Sequence, residues 1–357
     1  MRHSVILIPC LSPDKGLIAY VEELVGQGFE HIIVVNDGSG KEYDPIFADL
    51  QELGCIVLKH AVNYGKGRAL KNGFNEFLNR FGEAEEICGI ITADSDGQHL
   101  VKDVVRMDQR MWEAGQRQEK LFLGVRNFNL PEVPFKSRFG NKATCFFFRL
   151  LYGLKISDTQ TGLRGITTEC VKHFLTLKGE RFEYETSMLI AVVRNKISLE
   201  ELAIETVYVD HNGGTHFRPL QDSVIIYSII LGGFLKYAIS SFSASLIDIT
   251  LFHFLVMWMP QTAGIWIATM LARAASSFYN YNVNRKVVFA GKGKVRESLW
   301  RYYMLCVLQG GCSAALVTWG TGALAIPKTI CKIIVDTLLF FASYQIQRKY
   351  VFDAGKS

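Results

Sequence analysis

Charge is scarce in this chain: Asp, Glu, Lys and Arg supply 20% of its 357 residues, while hydrophobic types supply 49%. That balance excludes a disordered chain and a highly charged soluble protein, and it directs attention to a membrane region. Pairing signals among the eight cysteines are absent as well. Cys10, Cys55, Cys88, Cys145, Cys170, Cys306, Cys312 and Cys331 form no CxxC pair and no Cys/His cluster at zinc spacing, so they read as ordinary thiols of a reducing compartment. The first apolar run, 5–8, is too short for a signal-peptide core and ends at Pro9-Cys10. No cleavable targeting signal is therefore expected, and the run reads as a buried first strand. The net charge of +5 is too mild for a dedicated nucleic-acid binder, so no nucleic-acid partner is expected.

What charge there is falls unevenly. Residues 221–357 hold 13 Lys/Arg against 5 Asp/Glu, a net of +8, which leaves −3 for the first 220 residues. The length already suggests two units, and this asymmetry distinguishes them.

In the first half, short β-rich runs at 5–8, 31–35, 55–58, 87–92 and 121–125 alternate with helical stretches, the rhythm of an α/β sheet. Leu17, Ile18, Val21, Leu24 and Val25 share one face of a helix predicted over 17–28 and ended by Gly28. In open α/β sheets the ligand lies at the carboxyl ends of the strands, so the residues after each run are the candidates. After the second run stands Asn36-Asp37-Gly38-Ser39, turn chemistry that can also offer a carboxylate to a nucleobase N–H. After the third, Gly65 and Gly67 flank Lys66 at a helix start, where close backbone approach and an ammonium favour a phosphate; Walker spacing is absent. The fourth run ends in Asp94-Ser95-Asp96-Gly97-Gln98-His99. Alone this is a solvated turn, but two carboxylates one residue apart after a buried strand can converge on Mg²⁺ or Mn²⁺. Such an ion would neutralise a diphosphate leaving group.

Taken in order, Ile8-Pro9, Asn36-Asp37-Gly38-Ser39, Asn63-Tyr64-Gly65-Lys66-Gly67, Asp94-Ser95-Asp96-Gly97-Gln98-His99 and Asp158-Thr159-Gln160-Thr161-Gly162-Leu163-Arg164 resemble the motif series of family-2 glycosyltransferases, over roughly residues 3–218. The last of these and the run Asn212-Gly213-Gly214-Thr215-His216-Phe217-Arg218-Pro219 resemble the branch that transfers a sugar to polyprenyl or dolichyl phosphate. The resemblance implies a GT-A (Rossmann-like) α/β domain with one Mg²⁺ or Mn²⁺. It implies Pro9 and Asp37 at the nucleoside, Lys66 at a phosphate, and Asp94, Asp96 and Gln98 as metal ligands. It also implies Arg126, Arg138 and Arg218 at the acceptor phosphate. One departure is visible: the family's Asn-Glu pair after the proline is replaced by Cys10-Leu11-Ser12-Pro13-Asp14. Asp158 could orient the sugar or an arginine or act as a base; the orienting role is favoured, because a phosphate acceptor is already anionic and needs little general-base help. Glu183 and Glu185 read equally as sugar-pocket or helix-face carboxylates. His60, His99, His211 and His216 read as structural or surface polar residues.

Four apolar stretches follow, about 236–258, 265–284, 302–324 and 327–347, each near the roughly 20 residues a membrane helix needs. The loop between the second and third carries Arg285, Lys286, Lys292, Lys294, Arg296 and Arg301, and the tail carries Arg348, Lys349 and Lys356. The positive-inside rule then puts that loop and both termini in the cytosol. Asn280–Phe289 recurs as Ser343–Phe352 at a constant offset of 63, so two helices make one repeat. The ending resembles GtrA-like membrane domains over about 234–352. Asp248 with Arg273, and Lys332 with Asp336, are predicted ion pairs within the bundle. Residues 220–235 read as an interfacial amphipathic linker helix or as an early start of the first span.

The implied whole is an integral protein of the cell inner membrane or its equivalent, with a cytosolic GT-A domain at 1–219 and a four-helix transmembrane domain at 236–357. It would move one sugar, mannose or glucose, from a GDP- or UDP-sugar to polyprenyl (dolichyl or undecaprenyl) phosphate with inversion. Membrane lipids are implied partners, and a homo-oligomer is compatible with this reading. A lipid-linked sugar flippase with a regulatory nucleotide-sugar-binding domain is the alternative. A processive synthase is disfavoured, because Gln347-Arg348 lacks the tryptophan of a QxxRW motif.

Overall fold

The computed structural model describes residues 2–115, 118–131, 133–205, 218–258, 262–291, 293–323 and 327–352. The Asn212–Phe217 part of the family-like run, with His211 and His216, lies outside the described residues. The chain divides into two units, Met1–Ile230 and Leu231–Ser357.

In the first unit the chain runs β1 (Ser4–Cys10), α1 (Gly16–Gly26), β2 (Ile32–Asn36), α2 (Asp44–Glu52), β3 (Ile56–Lys59), α3 (Lys66–Phe81), β4 (Gly89–Thr92), α4 (Val101–Ala114) and β5 (Lys120–Arg126). It continues through α5 (Phe135–Phe147), β6 (Arg164–Thr167), α6 (Thr168–Leu175), α7 (Glu183–Asn195) and β7 (Ser198–Ile204). The sheet order is β3-β2-β1-β4-β6-β5-β7. All five predicted strands are present. β6 is the addition that matters, because it runs antiparallel to both β4 and β5, pairing Arg164 with Thr92 and with Leu123. The loop that precedes β6 is thereby returned to the carboxyl ends of β4 and β5, the edge where ligands bind in such sheets. α1 buries Leu17, Tyr20, Val21 and Leu24. Val25, predicted inside, is 41% exposed, and Tyr20 takes its place on the packed face.

Pro9 fits a central strand for a local reason. Ile6 donates its N–H to β2 through the His31 carbonyl, and alternation turns position 9 toward β4, whose pairing with β1 ends at Leu7–Thr92. The missing N–H of Pro9 therefore breaks no ladder bond.

Four α-helices follow among the described residues: α8 (Pro219–Trp258), α9 (Thr262–Val283), α10 (Val295–Ala323) and α11 (Lys328–Ile346). Among the described residues three are long and apolar enough to cross a membrane, over Leu220–Trp258, Val295–Ala323 and Lys328–Val351. α9 is long enough, but Arg273, Ser276, Ser277, Asn280 and Asn282 dilute its apolar content. The expected linker at 220–235 is no separate element; it is continuous with the first long helix, since no proline interrupts 220–258.

The repeat is visible as contacts between equivalent residues. Asn284 and Gln347, 63 apart and both buried, share a hydrogen bond of 3.1 Å, and Phe289 stacks on Phe352 at 5.4 Å. Both repeats end in a wide π-type turn, Asn284–Val288 and Gln347–Val351. Both expected ion pairs form, Arg273 with Asp248 at 3.7 Å and Lys332 with Asp336 at 2.9 Å, and Ser276 and Ser313 donate to the two aspartates. Asp248→Arg and Arg273→Asp should each lower the thermal midpoint of the detergent-solubilised protein, and combining them should recover about 1 kcal/mol of coupling. A double exchange no more stable than either single change would sink the pairing.

Candidate functional site

The turn after β4 presents Asp94 half-buried and Asp96 exposed. Thr92 at the strand end donates to the Gly162 carbonyl at 2.7 Å, which ties the loop before β6 to this turn. A Cβ at Gly162 would lie 2.2 Å from Asp94 Oδ2, so the carboxylate rests directly on a backbone where no side chain fits. Lys66 Nζ, from the first residue of α3, meets Asp94 Oδ1 at 2.6 Å and Glu185 Oε1 at 3.1 Å. The buried His99 ring faces Asp94 Oδ2 at 3.3 Å.

Glycines set this geometry. Gly65 has φ +103°, and a Cβ there would lie 2.5 Å from the Glu180 carbonyl; at Gly67 it would lie 2.6 Å from Tyr184 Cβ. The start of α3 is thus pressed against the start of α7, and Lys66 faces Glu185 across that contact. Burial alone would raise the Asp94 pKa, but the Lys66 ammonium and then His99 outweigh it and hold the carboxyl well below the usual range. Burial likewise works against the ammonium, but Asp94 and Glu185 hold Lys66 above the usual lysine range. Asp96 moves the other way: burial and then the Asp94 charge raise it. Gln98 contributes its backbone N–H to Asp96 Oδ1 at 3.2 Å, which closes the turn.

Among the described residues no three His, Cys, Asp or Glu side chains form a ready metal cage. The donor set is instead two carboxylates on one turn, one of them with its charge unrelieved. That set fits a magnesium-like ion, which is held by one or two carboxylates while substrate phosphates and water complete its shell.

Asp37 is buried and heavily engaged. Its Oδ1 accepts from His60 Nδ1 at 2.7 Å and Tyr64 N at 2.9 Å, and its Oδ2 accepts from Gly65 N at 2.7 Å. Its observed task is to anchor the 63–65 loop, which leaves little free acceptor capacity for a base. Asn72 Nδ2 meets His60 Nε2 at 2.7 Å, so the ring is held on both sides. In the first loop Ser12 N–H is bound to Ser39 Oγ and Asp14 accepts from Gly16 N at the start of α1. Burial and then Asp37 push the Cys10 thiol up to about 12, which rules it out as a nucleophile near neutral pH.

At the end of β5, Arg126 forms a bidentate pair with the fully buried Asp158, Nε to Oδ2 at 2.7 Å and Nη2 to Oδ1 at 3.0 Å. Gln160 N also donates to Asp158, at 2.9 Å. Asp158 therefore orients an arginine, one of the roles its sequence context allowed. A cavity of about 540 Å³ opens beside Arg126, with Asn127, Phe128, Lys142 and Ser157 in its wall. Arg138, on α5, donates to the Leu130 carbonyl at 2.8 Å. Arg218 is exposed; its backbone N–H is bound by Asp222.

Most of the predicted set thus falls into three groups, Lys66 with Asp94, Asp96 and Gln98, Asp37 with the 63–65 loop, and Arg126 with Asp158; Pro9, Arg138 and Arg218 stand outside them. Sequence reasoning read His60 and His99 only as structural or surface polar residues; both are buried, His60 against Asp37 and His99 against Asp94, contacts for which the sequence carried no signal beyond proximity to the Lys66 and Asp96 motifs. It also left Glu183 and Glu185 undecided; Glu185 faces Lys66, while Glu183 fastens the segment before α7 by accepting from Glu180 N and Arg181 N.

Comparison with known proteins follows the same division. Residues 5–127 match the description "Glycosyl transferase family 2", and residues 236–352 match "GtrA/DPMS, transmembrane domain". The chain is similar to an uncharacterized protein of Methanocaldococcus jannaschii, 27% identical over 230 residues that cover 63% of this chain and 90% of that one. It is similar to the UDP-N-acetylglucosamine–dolichyl-phosphate N-acetylglucosaminyltransferase of Methanococcus voltae, 26% identical over 244 residues, 63% and 94% of the two chains. It is also similar to the dolichyl-phosphate beta-glucosyltransferase of Saccharomyces cerevisiae, 25% identical over 206 residues, 54% and 61% of the two chains.

Because Asp94 ionises more readily in the folded protein, its stabilising contribution is fully present above the ordinary carboxylate value of about 4 and is lost progressively as pH falls below it. The thermal-midpoint cost of Asp94→Asn is therefore expected to be constant above about pH 5 and to shrink from pH 4 toward 2. A cost independent of pH over that range would remove the ion-pair account.

Proposed function

From the premise that the chain is a family-2 glycosyltransferase continuing into a GtrA/DPMS transmembrane domain, we propose that it transfers a single sugar from a GDP- or UDP-sugar to polyprenyl phosphate, with inversion, at the cytosolic membrane face. The observation that carries this is the shared edge of β4, β5 and the loop before β6, where an acidic turn and an arginine stand at the ends of the two strands that flank β6. The two relatives named for transfer to dolichyl phosphate support the acceptor class.

In this reading Asp94 and Asp96, with Gln98, hold a Mg²⁺ or Mn²⁺ ion that neutralises the departing nucleoside diphosphate. Lys66, at the start of α3, is positioned to reach the same diphosphate. Pro9 and Asp37 shape the nucleoside side, Asp37 through the loop it anchors. Arg126, oriented by Asp158, brings its positive charge to the acceptor phosphate, and Arg138 and Arg218 complete the phosphate contacts. The acceptor oxygen attacks the anomeric carbon opposite the leaving diphosphate, so no protein nucleophile is needed. α9 is read as a fourth span, its Arg273 neutralised by Asp248, which keeps the basic Arg285 and Arg348 ends on the cytosolic side.

Incubating the purified protein with polyprenyl phosphate and a panel of nucleotide-sugars should give one lipid product heavier by one hexose-type residue. Asp94→Asn and chelation of divalent ions should each reduce the rate at least about 100-fold. Full activity after either treatment refutes the metal role, and absence of any glycosylated lipid refutes the acceptor.

A further inference from the structure

Resting on the metal-dependent reading above, we infer that Lys66 is a built-in counter-cation of Asp94 that an incoming divalent ion displaces, and that Glu185 is the positioning residue that receives its ammonium. The Lys66 ammonium lies 2.6 Å from Asp94 Oδ1, the oxygen a divalent ion would need. A metal bound there at about 2.1 Å would stand close to the ammonium, and two cations on one oxygen repel.

Only one of the partners is free to yield. Asp94 is backed by the Gly162 backbone and flanked by His99. The Glu185 side chain is confined by burial, and its backbone is anchored where the fully buried Arg164 donates from Nη1 to the main-chain carbonyl at 2.9 Å. Lys66 has a flexible four-carbon stem and already touches Glu185 at 3.1 Å, so it can leave Asp94 without losing a carboxylate partner. The charge count fits this exchange: Asp94, Asp96 and Glu185 bring three negative charges to one ammonium, leaving a deficit that one divalent ion fills. The displaced ammonium remains at the helix start, where a diphosphate offers it a second partner. Metal and nucleotide should therefore bind cooperatively, each relieving the cost of moving Lys66.

The test is Mn²⁺ titration of the full-length detergent-solubilised protein, read by electron paramagnetic resonance with and without UDP or GDP. Lys66→Met should bind Mn²⁺ about tenfold more tightly than the unaltered protein without nucleotide, and nucleotide should add less to its affinity. Lys66→Arg should keep the weaker affinity. Glu185→Gln should bind Mn²⁺ more weakly, because the ammonium then rests on Asp94 alone. If Lys66→Met fails to unfold cooperatively, Glu185→Gln decides: unchanged or tighter binding overturns the inference. Equal affinity in Lys66→Met, together with loss of binding in Asp94→Asn, overturns the exchange but leaves the metal site standing. No Mn²⁺ binding by any variant, even with nucleotide, overturns both.

Discussion

The candidate site depends on the confinement of one carboxylate. Asp94 stands at the end of a four-residue buried strand, and the loop that returns over it has glycine at the point of contact, so Oδ2 is set against backbone. That loop is there because β6 runs antiparallel between β4 and β5. A parallel strand in the same place would put the preceding segment at the opposite edge of the sheet, away from the turn. One reversal of strand direction thus makes a composite site from segments about sixty residues apart in sequence.

Asp158 has the opposite environment from Asp94 and a correspondingly different use. It is fully buried, and a guanidinium fork and a backbone N–H occupy both its oxygens. A carboxylate so completely satisfied is a poor base and a good anchor, since removing it would strand a cation in a desolvated cleft. Asp94 shares its cation with Glu185 and has Asp96 two residues away. The first arrangement fixes an arginine; the second leaves a charge imbalance, which is the condition for taking up a ligand.

Much of this was legible in the sequence wherever local pattern decides the outcome. Buried parallel strands are continuous apolar runs, so all five predicted ones exist. β6 escaped because Arg164-Gly165-Ile166-Thr167 is short and begins with a charged residue, whose burial only its Thr161 and Glu185 carbonyl partners explain. β7, Ser198–Ile204, hides for a related reason: its Glu200 answers Lys120 on β5 and Arg110 on α4, and its Glu201 accepts from Ser157. Motif residues were found by type and spacing, but His60 and His99 carry no spacing signal. Their meaning comes from Asp37, 23 positions away, and from the turn containing Asp94.

The second unit follows a different logic, because its repeat brings equivalent positions together. Asn284 bonds Gln347 and Phe289 stacks on Phe352, and each pair is related by the repeat offset. Contacts between equivalents bring the two repeat ends side by side, so each repeat packs its terminal turn against the other's. Apolar helix faces alone fix such a register weakly, since sliding by one turn exchanges one set of apolar contacts for another. The buried Asn284–Gln347 bond cannot survive a slide, and losing it would leave a further buried donor and acceptor unmet at a cost. The amides, with the contacts of Asp248 to Arg273 and Ser276 and of Asp336 to Ser313 on the facing helices, therefore do for this unit what strand register does for the first: they select one arrangement among several that hydrophobicity would accept.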